Sequence, residues 1–146
     1  MEIKAELNKP YTENEKINFI IQYNHRLGCV IEETENSLQA WEYTKEEKKE
    51  MEKERIRMLK LTRGDVFRGL LQAKHITKQQ IRAIIEKMPE TTEEEIFKKQ
   101  LAFIDFDDAL EFYRGNPLID EVGKQLGLTT KQLNNFFETN DYNTLL

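Results

Sequence analysis

Threonines that precede a glutamate, aspartate or glutamine by three residues recur along this chain, and they constrain its fold more than any other feature. In such a capping box the threonine hydroxyl accepts a backbone hydrogen bond and the second side chain reaches back to the threonine, so that a helix begins there. The pairs are Thr12–Glu15, Thr44–Glu47, Thr62–Asp65, Thr77–Gln80 and Thr129–Gln132. A further, long helix begins at Thr92. The sequence therefore predicts a mostly helical protein.

Segments with the alternation of β-strands lie within residues 1–44. "EIKAEL" places Ile3, Ala5 and Leu7 on one side and charged residues on the other. "CVIEET" and "SLQAWEYT" are two further extended segments. Because all three are short, we expect them to pair into a small antiparallel sheet beneath the helix that follows Thr12. Gly28 suits the left-handed cap at the end of that helix.

Residues 45–60 predict a polar helix that is held by Glu–Lys and Glu–Arg pairs along its surface. Its apolar positions do not sustain a heptad, so a coiled-coil stem is the weaker alternative. We interpret this helix as a connector between a small α/β unit at 1–44 and a helical domain at 61–146. Within that domain, residues 92–114 predict one central helix, because apolar residues occur on several of its sides. The predicted class is α+β, mostly α.

A similar phrase occurs twice in the predicted helical domain, as "LLQAKHITKQQIRAII" and as "VGKQLGLTTKQLNNFF". Each predicts a helix, a tight turn and a capped second helix, which is a helix-turn-helix-like hairpin. In the second phrase, Gly123, Gly127 and Leu133 match the small residue, turn glycine and core aliphatic of DNA-reading hairpins. The polar residues on its second helix are Lys131, Gln132, Asn134 and Asn135. DNA reading is one interpretation. However, any tight helical hairpin requires a small residue, a turn glycine and a core aliphatic residue, so a structural hairpin is favoured.

Charge is segregated along the chain, although the net charge is only -5. Residues 62–88 carry six lysines and arginines against two acidic residues, whereas the segments 1–44 and 89–146 are acidic. The candidate contacts in this basic segment are Arg63, Arg68, Lys74, Lys78 and Arg82. Such a stripe suits nucleic-acid phosphates or an acidic protein face. The alternative is a solvated face that the acidic segments balance in three dimensions.

Aromatic residues provide the candidate anchors for a protein partner. Trp41 and Tyr43 follow each other closely in "AWEYT", and aromatic side chains dominate the energetics of protein interfaces. For Trp41, the single tryptophan of the chain, a core position in the N-terminal sheet is the alternative. We expect a protein partner, and the sequence leaves the oligomeric state open.

Residues with catalytic or metal-binding chemistry are sparse. His25 and His75 are the only histidines, and neither has the spacing of a metal site or of a nucleophile–base pair. We interpret the acidic cluster in the long predicted helix as a solvated face rather than a divalent-ion site. Its members are Asp105, Asp107, Asp108 and Glu111. With no glycine-rich phosphate loop either, the sequence predicts no enzyme activity, no cofactor and no metal.

The single cysteine, Cys29, excludes an internal disulfide framework and a zinc site built from several thiolates. Its apolar neighbours predict that it is buried. No apolar segment near the N-terminus is long enough for a signal peptide, and none in the chain approaches a membrane span. We therefore expect a soluble protein of the cytoplasm.

Several phrases resemble a family of small uncharacterised proteins encoded by phages and prophages of low-GC bacteria. They are "ELNKPYT", "YNH", "AWEYT", "LTRGDVFRGLL", "DFDDALEFYRG" and "FFETNDYNTLL". The resemblance covers most of the chain and implies a phage product in a bacterial cytoplasm. Its size and acidity then suit an inhibitor of a host defence complex, similar to anti-CRISPR proteins. A virion or tail assembly accessory protein is the alternative, and a helix-turn-helix DNA-binding regulator is the second alternative.

Overall fold

A computed structural model describes all residues, Met1–Leu146, as two compact units. The first unit is Met1–Lys53 and the second is Glu54–Leu146. With seven α-helices and 59% of its residues helical, the protein is α+β and mostly helical, as the sequence predicts. The division falls inside the polar helix α2, Lys45–Arg57. No helix has both the length and the apolar character needed to cross a membrane.

The first unit is a three-stranded antiparallel sheet with one helix on it. Its elements are β1 (Glu2–Asn8), α1 (Glu13–Gln22), β2 (Cys29–Glu33) and β3 (Ser37–Glu42), and the strand order is β1-β3-β2. Phe19 of α1 packs against Leu38 and Ala40 of β3 to form the small core. Cys29 is buried, as predicted.

The end of α1 differs from the sequence prediction. The helix ends at Gln22, with Tyr23 as its cap, so Gly28 does not cap it. The reason is Asn24, whose side chain accepts a hydrogen bond from the Leu27 backbone and starts a separate 3₁₀ turn. Gly28 closes that turn in the left-handed conformation, at φ 81°.

The second unit is helical around a core rich in phenylalanine. Its elements after α2 are β4 (Lys60–Thr62), α3 (Arg63–Lys74), α4 (Lys78–Glu86), α5 (Glu93–Asp108), β5 (Glu111–Tyr113), α6 (Pro117–Gln125), α7 (Thr130–Thr139) and a C-terminal 3₁₀ turn (Tyr142–Leu145). Phe106, Phe112, Phe136 and Leu145 are among its buried side chains. The two similar sequence phrases form the helix pairs α3–α4 and α6–α7.

Threonines cap the helices as the sequence indicates. Reciprocal capping boxes, in which both side chains bond to the partner's backbone, occur at Thr12, Thr44, Thr77, Thr92 and Thr129. At Thr62 only the threonine side chain bonds to backbone, by accepting from the Asp65 N–H. These local bonds satisfy backbone donors that a helix leaves free at its first turn.

The prediction of one helix over residues 92–114 is wrong. The helix ends at Asp108, and Glu111–Tyr113 pairs antiparallel with Lys60–Thr62, which places Phe112 opposite Leu61. Burial alternates in β5, because Phe112 is 1% exposed between two exposed neighbours. The second unit is therefore not all-α, and the polar helix stops at Arg57 instead of residue 60.

The prediction that this helix is central is also wrong. Only Ala102 and Phe106 of α5 are buried. On the other side, the side chains of Phe97 and Ile104 are 61% and 56% exposed. The apolar residues of α5 therefore lie on two sides of the helix, one of which faces the core while the other faces solvent.

Candidate functional site

Three of the five predicted basic residues line one groove between α3 and α4. Arg63, Arg68 and Lys78 surround an open volume of about 520 Å³. The other principal lining side chains are Phe67, Leu71 and Ile76. We call this the α3–α4 groove. Its wall is cationic and its floor is apolar.

The aromatic ring of Phe67 positions two of the three cations. The Arg63 guanidinium lies 4.8 Å from the centre of that ring and also donates a hydrogen bond to the Phe106 carbonyl oxygen. The Lys78 ammonium lies 5.2 Å from the same ring centre. Cations over an aromatic face are attracted by its electron density. Arg63 and Lys78 are therefore held at the groove while they keep their charge.

Arg68 is an exposed cation of the groove. Its side chain is 66% exposed and lies 3.1 Å from the Asp65 carboxylate. A hydrogen bond from the Thr62 hydroxyl, followed by contributions that include the charge of Arg68, holds the pKa of Asp65 below its ordinary value. An exposed pair of this kind is weak, so Arg68 can exchange Asp65 for another anion.

The two remaining candidates do not line the groove. Arg82 forms a 2.7 Å ion pair with Asp107 and lies 5.1 Å from the centre of the Phe103 ring, so it joins α4 to α5. Lys74, in the last turn of α3, is half-buried and forms no ion pair. The structure thus brings together Arg63, Arg68 and Lys78 only.

In the second helix pair, Asn134 has a structural contact instead of a free side chain. Its amide oxygen accepts a 2.8 Å hydrogen bond from the guanidinium of Arg114, a residue that is 5% exposed. The same guanidinium pairs with Asp120 at 2.8 Å. A buried charge that loses its partners is costly, so Asn134 is committed to this network.

Gln132 is likewise engaged within the protein. Its amide oxygen accepts from the Thr129 backbone at 2.9 Å, and its amide nitrogen donates to the Leu146 carbonyl at 3.1 Å. Of the four polar residues predicted for base contact, Lys131 and Asn135 alone keep their side chains free of these contacts. The turn itself uses Gly123 and Gly127 as the sequence indicates: a Cβ at Gly123 would lie 2.7 Å from Leu133, and Gly127 has φ 70°.

Trp41 and Tyr43 are both half-buried. Trp41 lies opposite Ile3 and Val30 in the sheet, on the face away from the Phe19 core. Its buried indole N–H has no hydrogen-bond acceptor among the atoms of the protein itself. Both residues keep part of their surface in solvent.

The predicted acidic cluster is divided among several partners. Asp105 accepts a hydrogen bond from Asn116 at 2.9 Å, Asp107 pairs with Arg82, and Glu111 pairs with Lys60 at 3.1 Å. No group of three or more carboxylate, imidazole or thiol side chains has the geometry of a metal site. His75 caps α3 in the left-handed conformation, at φ 54°.

An exposed apolar face on α5 is the feature that the sequence interpretation missed. Phe97, Leu101 and Ile104 are 61%, 43% and 56% exposed, and their spacing places them on one side of a helix. We call these three residues the α5 apolar face. Their helical spacing was visible in the sequence, but the pattern alone did not show which side faces solvent.

Acidic residues lie at both ends of the α5 apolar face. Glu93 and Glu94 occupy the first turn of α5 and Asp108 its last turn, on the same side as Phe97 by helical spacing. Glu94 pairs with Lys98 at 2.9 Å, whereas Glu93 and Asp108 form no ion pair. The surface therefore combines an apolar centre with a negative rim.

Comparisons with protein-family models, with curated proteins and with solved structures find no match for this chain. The α3–α4 groove and the α5 apolar face are the two surfaces of the chain that suit binding.

Proposed function

We propose that the protein is a phage-encoded binding protein without catalytic activity, and that it docks on a protein partner through the α5 apolar face. The observation that carries the proposal is the simultaneous exposure of Phe97, Leu101 and Ile104. Burying a large apolar side chain contributes about 1.5–3 kcal/mol. Contiguous exposed apolar side chains with a polar rim are typical of interaction sites.

The acidic rim selects the kind of partner. Two copies of α5, packed parallel or antiparallel, would bring Glu93, Glu94 and Asp108 against other carboxylates. Like charges across an interface are unfavourable, so symmetric self-association, with α5 packed against α5, is disfavoured. A partner with an apolar patch inside a basic rim complements it. Proteins that hold nucleic acid are one class with such basic surfaces.

An inhibitor of a host defence complex, similar to anti-CRISPR proteins, fits this combination best. By docking on a basic surface, the protein occludes the place where a nuclease complex holds its nucleic acid. The resemblance to phage and prophage proteins provides the setting, which is the cytoplasm of an infected bacterium. A virion or tail assembly accessory protein also uses an apolar docking face, and the identity of the partner distinguishes the two roles.

Direct DNA reading by the α6–α7 pair has less support. Two of the polar residues that such a reader needs, Gln132 and Asn134, are engaged by Leu146 and Arg114. We therefore propose that both helix-turn-helix-like pairs are structural hairpins of the helical domain.

The test is capture of a partner from the lysate of a low-GC bacterial host, treated with nuclease so that nucleic acid cannot bridge two proteins. The proposal predicts that the tagged protein retains a nucleic-acid-binding protein, identified by mass spectrometry. The double variant Phe97→Ser, Ile104→Ser is expected to lose it, because the apolar centre is gone. Met58→Ser is the matched control, since Met58 is 57% exposed and lies outside α5.

Equal capture by the double variant and by the control would rule out the α5 apolar face as the docking site. Capture of a virion structural protein, lost in the same variant, would favour the assembly role over defence inhibition. Circular dichroism should be unchanged in both variants, because the substituted side chains are exposed.

A further inference from the structure

The floor of the α3–α4 groove offers an apolar side chain a place to bind. Leu71 is 50% exposed and Ile76 is half-buried, and both line the groove together with Phe67. Leu71 projects from a helix whose other face carries the buried Val66 and Leu70. Its exposure is therefore a feature of the groove and not of a loosely packed helix.

The wall of the groove is positive. Arg63, Arg68 and Lys78 lie around the floor, and Asp65 is the one carboxylate that pairs with any of them. α4 begins at Lys78, so the positive end of its helix dipole lies on the same side. A ligand that fits both parts carries negative charge beside an apolar group.

Nucleic acid complements the positive charge of the groove wall but not the aliphatic side chains of its floor. Single strands bind by stacking bases on aromatic rings, and Phe67 is the only aromatic residue that lines the groove. Phe67 is 9% exposed, and two cations already lie over its ring. The exposed part of the floor is aliphatic.

We infer that the α3–α4 groove binds an acidic peptide segment that inserts an aliphatic side chain between its carboxylates. The aliphatic side chain covers Leu71 and Ile76, and the flanking carboxylates meet Arg68 and Lys78. Arg63 has a different role. Its hydrogen bond to the Phe106 carbonyl oxygen fixes its position, and it contributes positive charge to the wall of the groove. This site shares no residue with the α5 apolar face, so either proposal can fail alone.

The experiment measures the fluorescence anisotropy of a labelled synthetic peptide made of Glu, Asp and Leu. Three further probes accompany it: the peptide with Leu replaced by Ser, the peptide with its acids replaced by Gln and Asn, and a single-stranded oligothymidylate. We expect saturable binding of the first peptide, weakened by added salt as exposed charge pairs are. Each altered peptide should bind at least about tenfold more weakly.

Protein variants locate the site. Arg68→Glu with Lys78→Glu should weaken peptide binding by about tenfold or more, and Leu71→Ser should weaken it without any change in charge. Lys124→Glu with Lys131→Glu is the charge-matched control, because both lysines are exposed on α6 and α7. This control should bind the peptide nearly as the unaltered protein does.

Three results would overturn the inference. One is the absence of saturable peptide binding, and another is equal loss in the groove variant and its charge-matched control. The third is binding of the oligothymidylate in preference to the peptide with the same dependence on Arg68 and Lys78, which would make the groove a nucleic-acid site. Leu71→Ser keeps the test independent of any repulsion that Arg68→Glu introduces beside Asp65.

Discussion

At the scale of single residues, Gly69 shows how closely the helices of the second unit pack. A Cβ at this position would overlap the Phe136 ring, with Cε2 at 2.7 Å, and Phe136 is 2% exposed in the core. We expect Gly69→Ala to lower the free energy of unfolding by about 1–2 kcal/mol, because overpacking outweighs the gain in helix propensity. Urea denaturation measures the difference.

Gly64→Ala is the matched control within the same helix. The nearest atom to its added Cβ is 3.8 Å away, so the substitution meets no clash. It should leave stability unchanged or raise it by up to about 1 kcal/mol, because alanine loses less backbone entropy on folding. Equal stability of the two variants would contradict the close packing of α3 against Phe136.

Glu33 provides a prediction about pH. Hydrogen bonds from Lys16, Tyr11 and Lys9, in that order of effect, lower the pKa of this carboxylate from 4.5 to about 2. A pKa that is lower in the folded state gives stability that is complete above 4.5 and is lost as the pH falls towards 2. Glu33→Gln should therefore flatten the fall in unfolding free energy over this range.

The measurement is urea denaturation at a series of pH values across that window, for both proteins. Other carboxylates, among them Glu15 and Glu42, also have lowered pKa values, so the variant should still lose stability in acid. Glu32→Gln, a neighbouring exposed substitution without an ion pair, is the control. Parallel pH profiles for Glu33→Gln and the unaltered protein would contradict the role of the Lys16 and Tyr11 contacts.

At the scale of secondary-structure elements, the starts of the threonine-capped helices were predictable because the signal is local. A capping box needs only residues within one turn, so the sequence specifies it without knowledge of the tertiary structure. Thr129→Ala removes the hydroxyl that accepts from the Gln132 backbone at 3.1 Å. The expected loss of stability is about 0.5–2 kcal/mol, measured by urea denaturation.

Thr130→Ala is the control for that prediction. Thr130 is the next residue, is exposed, and forms the first residue of α7 without capping it. Its substitution should change stability by less than about 0.5 kcal/mol. Equal effects at Thr129 and Thr130 would mean that the cap contributes nothing beyond helix propensity.

Elements that depend on distant partners were not predictable in the same way. β5 has three residues, and its pairing with β4 joins segments that lie far apart in the sequence. Nothing local in "EFY" distinguishes such a strand from the end of a helix, so the sequence interpretation extended α5 too far. The exposed side of α5 has the same origin, because which face meets the core depends on α4 and α6.

The candidate site was predictable in part for the same reason. Charge segregation identified the basic segment, and Arg63, Arg68 and Lys78 do line a common groove. The tertiary structure removes Arg82 from that set by pairing it with Asp107. It likewise engages Asn134, whose buried partner Arg114 lies on a segment that the sequence interpretation placed inside a helix.

At the scale of the whole molecule, the two units have cores of very different size. The first has three buried apolar side chains in its core cluster, Phe19, Leu38 and Ala40, whereas the second has seventeen. Apolar burial is the main favourable contribution to stability. We therefore expect the first unit to unfold at a lower urea concentration than the second. Trp41, the only tryptophan, reports on the first unit alone, while most of the helical signal comes from the second.

Tryptophan fluorescence and far-UV circular dichroism should consequently give two transitions that do not coincide, which is the standard sign of unfolding in more than one step. Gly69→Ala distinguishes unfolding in two steps from a single unfolding step to which the two probes respond differently. It lies in the second unit, so it should move the circular dichroism transition to lower urea and leave the Trp41 transition in place. If it moved both transitions equally, the units would unfold as one cooperative body, and the independence inferred from their separate cores would be wrong.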